Sequence, residues 1–331
     1  MAEPEGEFDL IARLFKPLAA DHPGGLGLGD DAAVLSPPSG QDLVVTSDAL
    51  VGGRHFLADD PPETVAAKAL GVNLSDLAAM GADPLAYTLA ACWPADATTA
   101  WIEAFAGGLA ATQRAHGIHL VGGDTVRTPG PMTLTVTAFG LVPTGQALRR
   151  NGARPGDRVF VSGTIGDAAL GLHLLSGNAP LTEAADRKWL IARYRRPTPR
   201  LDLGRRLRGT ASAAIDVSDG LVADVRHLAE ESGCRMEIVA SAVPVSDATR
   251  RRVADDTALS AAVFGGGDDY ELAFTAPPAA TDAIAGIAAE TGVPLTEIGT
   301  VSEAGGQGPD VTLRGADGAV LDYGPGGYRH F

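Results

Sequence analysis

Short acidic clusters recur along this chain: Gly29-Asp30-Asp31, Thr46-Ser47-Asp48, Asn73-Leu74-Ser75-Asp76, Gly122-Gly123-Asp124, Asp216-Val217-Ser218-Asp219 and Gly266-Gly267-Asp268-Asp269. Surface carboxylates are usually interleaved with Lys or Arg, and these clusters have almost no basic residue beside them. Carboxylates gathered in this way imply a cation. Hard oxygen donors from Asp, with hydroxyls and waters completing the shell, are what Mg2+ prefers, and Mg2+ held by few protein ligands usually carries phosphates. A nucleotide site is therefore the first expectation. Two like charges about 4 Å apart cost roughly 4 kcal/mol at an effective dielectric near 20. Several carboxylates facing a triphosphate would exceed the marginal stability of a domain. The clusters thus predict several divalent cations as a built-in part of the reaction site.

Other chemistries lack their residues. The sequence has no GxxxxGK[ST] phosphate loop, no protein-kinase signature set and no GxGxxG in a dinucleotide-binding context. It offers no Ser-His-Asp or Cys-His arrangement. Basic candidates are few: His55 after Gly52-Gly53, Arg127 shortly after Asp124, and Arg149 and Arg150 in a loop between the two halves. Arg150 falls where a cleft between the halves would need positive charge.

The elements that must position these residues alternate. A helical spacing covers 8–19, and Leu43-Val44-Val45 reads as a strand running into Thr46-Ser47-Asp48, with Thr46 and Asp48 on one side. Pro61-Pro62-Glu63 opens a helix that continues to Met80-Gly81. It carries Asn73 and Asp76 three apart on one face, where polar residues among Ala and Leu need a partner. Strand, helix and short strand follow at 85–92, 98–116 and 118–121, the last ending at Gly122-Gly123-Asp124, where glycines let a phosphate or metal approach the backbone. The segment 132–142 alternates as a strand. A loop at 145–157 then breaks the pattern. Beyond it, strands are predicted at 158–162, 211–215, 236–240 and 270–275, with helices at 167–175, 189–195, 199–208, 222–231 and 283–290. Asp216 to Gly220 ends a strand and starts a helix, so Ser218 or Asp219 could be an ordinary N-cap. The alternation predicts two α/β domains with a boundary near residue 148.

With 331 residues the chain is long enough for two cores. Its net charge of −15 and its dispersed Lys16, Lys68 and Lys188 argue against nucleic-acid binding. No run of 18 or more apolar residues would span a membrane, and the N-terminus lacks a signal-peptide pattern, so a cytoplasmic protein is expected. Cys92 and Cys234 have no CxxC spacing and read as small core residues.

The motifs also carry a family resemblance. Gly29-Asp-Asp-Ala-Ala33, Thr46-Ser-Asp-Ala-Leu50, Gly53-Arg-His-Phe56 and above all Asn73-Leu-Ser-Asp-Leu-Ala-Ala-Met-Gly-Ala-Asp-Pro84 resemble the bacterial thiamine-monophosphate kinase family. Gly122-Gly-Asp-Thr125, Arg150-Asn-Gly-Ala-Arg-Pro-Gly-Asp157, Ile215-Asp-Val-Ser-Asp-Gly220, Gly267-Asp-Asp-Tyr-Glu-Leu272 and Gly327-Tyr-Arg-His-Phe331 continue the match in the same order across essentially the whole chain. The resemblance implies transfer of the γ-phosphoryl of ATP to thiamine monophosphate, giving thiamine diphosphate and ADP, within the superfamily of aminoimidazole ribonucleotide synthetase and selenophosphate synthetase.

It further implies an α/β (α+β) fold. An N-terminal domain (1–148) would bind ATP and Mg2+ and dimerise, and a C-terminal α/β domain (149–331) would complete the cleft. By the same resemblance Asp30, Asp31, Thr46, Ser47, Asp48, Asp76, Asp124, Asp216 and Asp219 are metal ligands. Gly123, Asp124, Arg150 and Ser218 contact ATP, and His55, Asp268 and Tyr328 contact thiamine monophosphate. Asp268 stands where close relatives often have Glu. The acceptor phosphate is already mostly ionised at pH 7, so no general base or protein nucleophile is needed, and direct in-line transfer with charge stabilisation by metals and Arg150 is expected. Alternative readings are another ATP-dependent superfamily member and a non-catalytic binder of thiamine phosphates. Selenophosphate synthesis is disfavoured because the first cysteine is Cys92.

Overall fold

The computed structural model describes residues 7–177, 183–321 and 327. The chain divides into two compact units, Met1–Leu77 with Ala82–Gly145, and Ala78–Gly81 with Gln146–Phe331. The first contains α1 (Glu7–Leu10), β1 (Gln41–Val51), α2 (Pro62–Ala79), β2 (Asp83–Pro94), α3 (Thr99–His116), β3 (His119–Thr128) and β4 (Thr133–Pro143). Its sheet has the order β1-β4-β2-β3, antiparallel except for the β2–β3 pair.

The proline-then-acid start and the Gly81 stop (φ 67°) bracket α2 as its sequence predicts. Thr98 caps α3 through its side chain, and Gly117 closes the helix in the left-handed conformation. Along β4 buried and half-buried residues alternate without a break, so one face of the sheet is covered and the other open. Leu43, Val45 and Ser47 of β1 lie opposite Leu141, Phe139 and Thr137, all on the open face. Thr88, Ala90 and Cys92 of β2, paired with Gly122, Asp124 and Val126 of β3, continue that face.

Two strands are longer than their apolar runs suggest. β1 extends through Thr46-Ser47-Asp48 to Val51, and β3 runs through Gly122-Gly123-Asp124 to Thr128, so neither acidic cluster sits at a strand end. Ladder hydrogen bonds to β4 and β2 override the turn-like composition. Residues 8–19 do form successive helical turns, but of mixed type, with Pro17 at the start of the last.

The second unit contains β5 (Arg158–Ser162), α4 (Asp167–Leu175), α5 (Ala184–Arg195), α6 (Leu201–Leu207), β6 (Ala213–Asp216), α7 (Leu221–Ser232), β7 (Cys234–Val239), α8 (Asp247–Asp255), α9 (Ser260–Gly265), β8 (Leu272–Ala276), α10 (Thr281–Thr291), β9 (Leu295–Glu303) and β10 (Asp310–Arg314). The sheet order is β10-β7-β9-β5-β8-β6, with only the β10–β7 pair parallel. Val159, Val161, Ile215, Val217, Leu221, Val225 and Ile238 lie in its buried core. α8, α9, β9 and β10 have no counterpart in the sequence reading. β9 is the chief omission: it is a central strand, yet Thr296, Glu297, Thr300, Ser302 and Glu303 hide its pattern.

Among the described residues no helix is long and apolar enough to cross a membrane. Cys234 is buried, Cys92 is half-buried, and both are free thiols.

Candidate functional site

In the first unit, α2 and β1 are tied together by the residues singled out from sequence. Thr46 donates its hydroxyl to Asp76 Oδ2 at 2.5 Å, and the Asp48 amide donates to Asn73 Oδ1 at 3.2 Å. Asn73 is fully buried and gives its own amide to the Ala69 carbonyl at 3.1 Å. This is the partnering that polar residues inside an apolar helix require. Thr46 and Asp48 face α2. The side chain of Ser47 points to the open face of the sheet, where its Oγ lies 2.9 Å from Thr137 Oγ1 and 3.3 Å from the Val136 carbonyl.

His55 stands in the turn that follows β1, and its Nδ1 accepts the Val51 amide at 2.9 Å. An imidazole accepting at Nδ1 keeps its neutral-form proton on Nε2.

Asp30, Asp31 and the stretch from Gly122 to Thr125 line a single cavity of about 360 Å3, walled by Ile11, Phe15 and Leu120. Asp124 is exposed, and its Oδ1 accepts the neighbouring Thr125 amide at 2.8 Å. Gly123 has a structural duty as well as a candidate binding one. Its φ is 153°, and a Cβ there would sit 1.9 Å from the Leu89 carbonyl oxygen. β2 and β3 can pair at this point only if residue 123 has no side chain.

Asp48 lies on one edge strand of the sheet and Asp124 on the other, on opposite faces. Three strand spacings are about 14 Å. A single copy of the chain therefore cannot place both carboxylates on the same ion.

In the second unit, Asp216 closes β6 and is buried, while Ser218 and Asp219 are half-buried. Neither Ser218 nor Asp219 caps α7: Gly220 holds the N-cap position, and its φ of 130° turns the chain into the helix. The loop is instead held from inside the helix. Asp224 Oδ2 accepts the amides of Ser218, Asp219 and Gly220 at 2.9, 3.0 and 3.1 Å. Burial raises the Asp224 carboxyl well above the ordinary carboxylate range, and the nearby charges of Asp216 and Asp219 raise it further. Asp224 was not singled out from sequence. The only signal was its place eight residues after Asp216 and one turn beyond Gly220.

Asp268 lies beside this loop. Its amide donates to the Ser218 carbonyl at 2.8 Å, and Gly267 is so close that a Cβ would come within 2.1 Å of the same oxygen. Asp268, Ser218 and Asp219 are thus brought together. Asp269, the other half of the doublet, points inward: Oδ2 and Oδ1 accept the Gly166 and Ala168 amides at the start of α4. Glu271, fully buried, accepts from Ser162, Arg193 and both arms of Arg200. Arg150 is exposed, and its carbonyl accepts the Ser232 hydroxyl at 2.9 Å. Tyr328 lies outside the described residues. Its neighbour Gly327 sits against α7, where a Cβ would be 2.5 Å from Ala223 Cβ and 3.3 Å from the Asp219 carbonyl.

Among the described residues no three His, Cys, Asp or Glu side chains are close enough to enclose a metal ion unaided. Within each unit the candidate donors, Asp30, Asp31, Thr46, Asp48, Asp76 and Asp124 in the first and Asp216 and Asp219 in the second, all offer oxygen. An all-oxygen set without a closed cage fits Mg2+ that shares its shell with waters and phosphates, and does not fit a soft-metal site.

Residues 29–142 match the family model "AIR synthase related protein, N-terminal domain", and residues 154–311 match "AIR synthase related protein, C-terminal domain". The thiamine-monophosphate kinase of Salmonella typhimurium is 45% identical over 327 residues, covering 98% of both chains. The crystal structure of the thiamine-monophosphate kinase of Stenotrophomonas maltophilia K279a superposes with a TM-score of 0.80 at 46% identity, over 89% of this chain and 91% of that one. The chain AaThiL complexed with AMPPCP and TMP has a TM-score of 0.78 at 33% identity, over 98% of this chain and 97% of that one. With both family models matched in order and close relatives aligned from end to end, this chain belongs to the AIR synthase related family and, within it, to the thiamine-monophosphate kinases, which are phosphotransferases.

Proposed function

We propose that this chain transfers the γ-phosphoryl of ATP directly to the phosphate of thiamine monophosphate, releasing thiamine diphosphate and ADP, the last step of thiamine diphosphate biosynthesis. The observation that carries the reading is the donor set. It is made of carboxylates and hydroxyls on β1, α2, β3 and the β6–α7 loop, and it accompanies relatives that are thiamine-monophosphate kinases. The neighbour complexed with AMPPCP and TMP supports ATP as co-substrate.

In this reading Asp30, Asp31, Thr46, Ser47, Asp48, Asp76, Asp124, Asp216 and Asp219 hold Mg2+, which neutralises the charge on the two phosphate chains. Gly123, Asp124 and Ser218 position ATP, with backbone approach at Gly123 unobstructed by a side chain. Arg150 supplies a fixed positive charge to the transferring group. His55, Asp268 and Tyr328 orient the acceptor. No side chain takes a proton, because the attacking oxygen is ionised near neutral pH.

Residues 1–148 act as the ATP- and Mg2+-binding and dimerising domain, and residues 149–331 complete the site. The homodimer is supported by the open sheet face, where Leu43, Val45 and Val126 are exposed. A second copy laid on that face would let the β3 edge of one copy approach the β1 edge of the other, which the opposite-edge placement of Asp48 and Asp124 calls for. A cytoplasmic location agrees with the chemistry, since ATP is the donor.

The test is ADP release with thiamine monophosphate, thiamine and aminoimidazole precursors as alternative acceptors, with and without Mg2+. Turnover with thiamine monophosphate alone, abolished by chelation, is expected. Binding of thiamine monophosphate without ADP formation would make the chain an inert binder. Inversion of configuration at a chirally labelled γ-phosphorus is the expected stereochemistry, and net retention would refute direct transfer.

A further inference from the structure

Asp268 and Tyr270 both carry positive φ, 72° and 51°. Residues with a Cβ occupy that region only where their surroundings hold them. The restraints here are on both sides. Outward, the Asp268 amide donates to the Ser218 carbonyl and the Tyr270 amide to the Val217 carbonyl, both at 2.8 Å, and the Val217 amide returns a bond to the Glu271 carbonyl at 2.8 Å. Inward, Asp269 takes the two amides at the start of α4, and Arg193 donates to the Asp269 carbonyl at 2.9 Å. Arg193 and Arg200 together grip the Glu271 carboxylate.

The turn is therefore rigid on either side of Asp268. The Tyr270 hydroxyl engages the Asp268 side chain itself, donating to Oδ1 at 3.2 Å. The Tyr270 ring is nearly buried, so the phenol itself is fixed.

We propose that Tyr270 is a positioning residue for the acceptor: its hydroxyl fixes the rotamer of Asp268 so that the carboxylate meets the permanently cationic thiazolium ring of thiamine monophosphate. This inference rests on the function proposed above. An Asp side chain is one methylene shorter than Glu, so its reach must come from the backbone and its aim from a neighbour. The left-handed turn supplies the first and the phenol the second. Such an arrangement strengthens binding of the acceptor in ground state and transition state alike, and it leaves ATP untouched. No proton or group passes through Tyr270.

The experiment is steady-state kinetics of Y270F, D268N and the double variant, varying ATP and thiamine monophosphate separately, with a melting temperature for each protein. Y270F is expected to raise KM for thiamine monophosphate about three- to tenfold, with kcat and KM for ATP within about twofold of wild type. In the D268N background the same change should add less than about twofold, because the side chain that the phenol aims keeps its acceptor oxygen but has lost the charge that meets the thiazolium. Equal effects in both backgrounds, or an unchanged KM, would overturn the proposal. So would a parallel loss of kcat, both KM values and melting temperature, which marks a purely structural tyrosine. Failure of the wild-type chain to form ADP with thiamine monophosphate would overturn the underlying reading, and this inference with it.

Discussion

Asp224 holds the amide of Gly220 at 3.1 Å, and with it the amides of Ser218 and Asp219, so one carboxylate oxygen ties down the whole loop that presents Asp216 and Asp219. The usual order of a helix start is reversed. The first turn of the helix supplies the acceptor, and the preceding loop supplies the donors. Because Asp216 and Asp219 also repel Asp224, the loop combines a geometric restraint with electrostatic tension that cations would relieve.

Truncating Asp224 to Ala should therefore be costly. It leaves three backbone donors without their acceptor in a buried place, a loss of about 2–4 kcal/mol. Asp224→Asn keeps an acceptor oxygen and removes the repelling charge, so its stability should stay within about 1 kcal/mol of wild type or exceed it. Denaturant unfolding of the metal-free protein distinguishes the two. Equal destabilisation by both substitutions would show that charge, and not the acceptor, matters here.

Asp124 offers the opposite balance of stability and activity. It is exposed, and its Oδ1 accepts the adjacent Thr125 amide, so Asp124→Ala should leave the melting temperature unchanged. On the proposed function it should lower kcat/KM at least about 100-fold and raise the Mg2+ concentration needed for half-maximal rate. A variant with normal Mg2+ dependence would remove Asp124 from the ligand set.

Much of this organisation was legible in the sequence, and the exceptions have physical causes. Helices α2 and α3 announce themselves through local punctuation, Pro61-Pro62-Glu63 and Thr98 at their starts and Gly81 and Gly117 at their ends. The strands β9 and β10 do not, because their pairing is long-range and their exposed positions are rich in Thr, Ser and Glu. The Asp268-Asp269 doublet shows the same limit at the scale of one residue. The left-handed turn leaves the first carboxylate half-exposed and drives the second against the α4 amides. No local pattern distinguishes them. Asp224, likewise, is an ordinary helical Asp until the loop folds back onto it.

Arg150 should act on one substrate more than the other. Its side chain is exposed and its anchoring bond is made by the backbone carbonyl, so Arg150→Ala should not alter folding. If it supplies charge to the transferring phosphoryl group, the variant loses ATP utilisation about 10–1000-fold while thiamine monophosphate still binds. Equal loss for both substrates, measured by equilibrium binding alongside turnover, would point to a structural part instead.

Gly123→Ala tests the strand pairing beneath the candidate nucleotide site. A methyl group 1.9 Å from the Leu89 oxygen cannot be accommodated without separating β2 from β3, and the positive φ adds strain. A loss of several kcal/mol is expected, enough to unfold a marginally stable domain. Gly122→Ala is the matched control, since its methyl would meet only Thr88 Cγ2 at 3.5 Å. Comparable stability of the two variants would contradict the role assigned to residue 123.

Asp269 predicts a pH dependence of stability. Burial pushes its carboxyl up to about 7 from an ordinary 3.8, and the amides of Gly166 and Ala168 and the charge of Arg193 offset only part of that. Between these two values the native chain keeps a proton that the unfolded chain has released. Raising the pH through this window therefore favours unfolding, by at most about 4 kcal/mol once pH 7 is passed. Asp269→Asn carries no charge at any pH, so it should show a lower melting temperature at pH 4.5, where an amide group replaces one acceptor oxygen, but a shallower fall toward pH 7.5. The difference between the two melting curves isolates this carboxyl from every other titrating group. Parallel profiles across that range would mean that Asp269 is ionised throughout, with the α4 amides and Arg193 outweighing its burial.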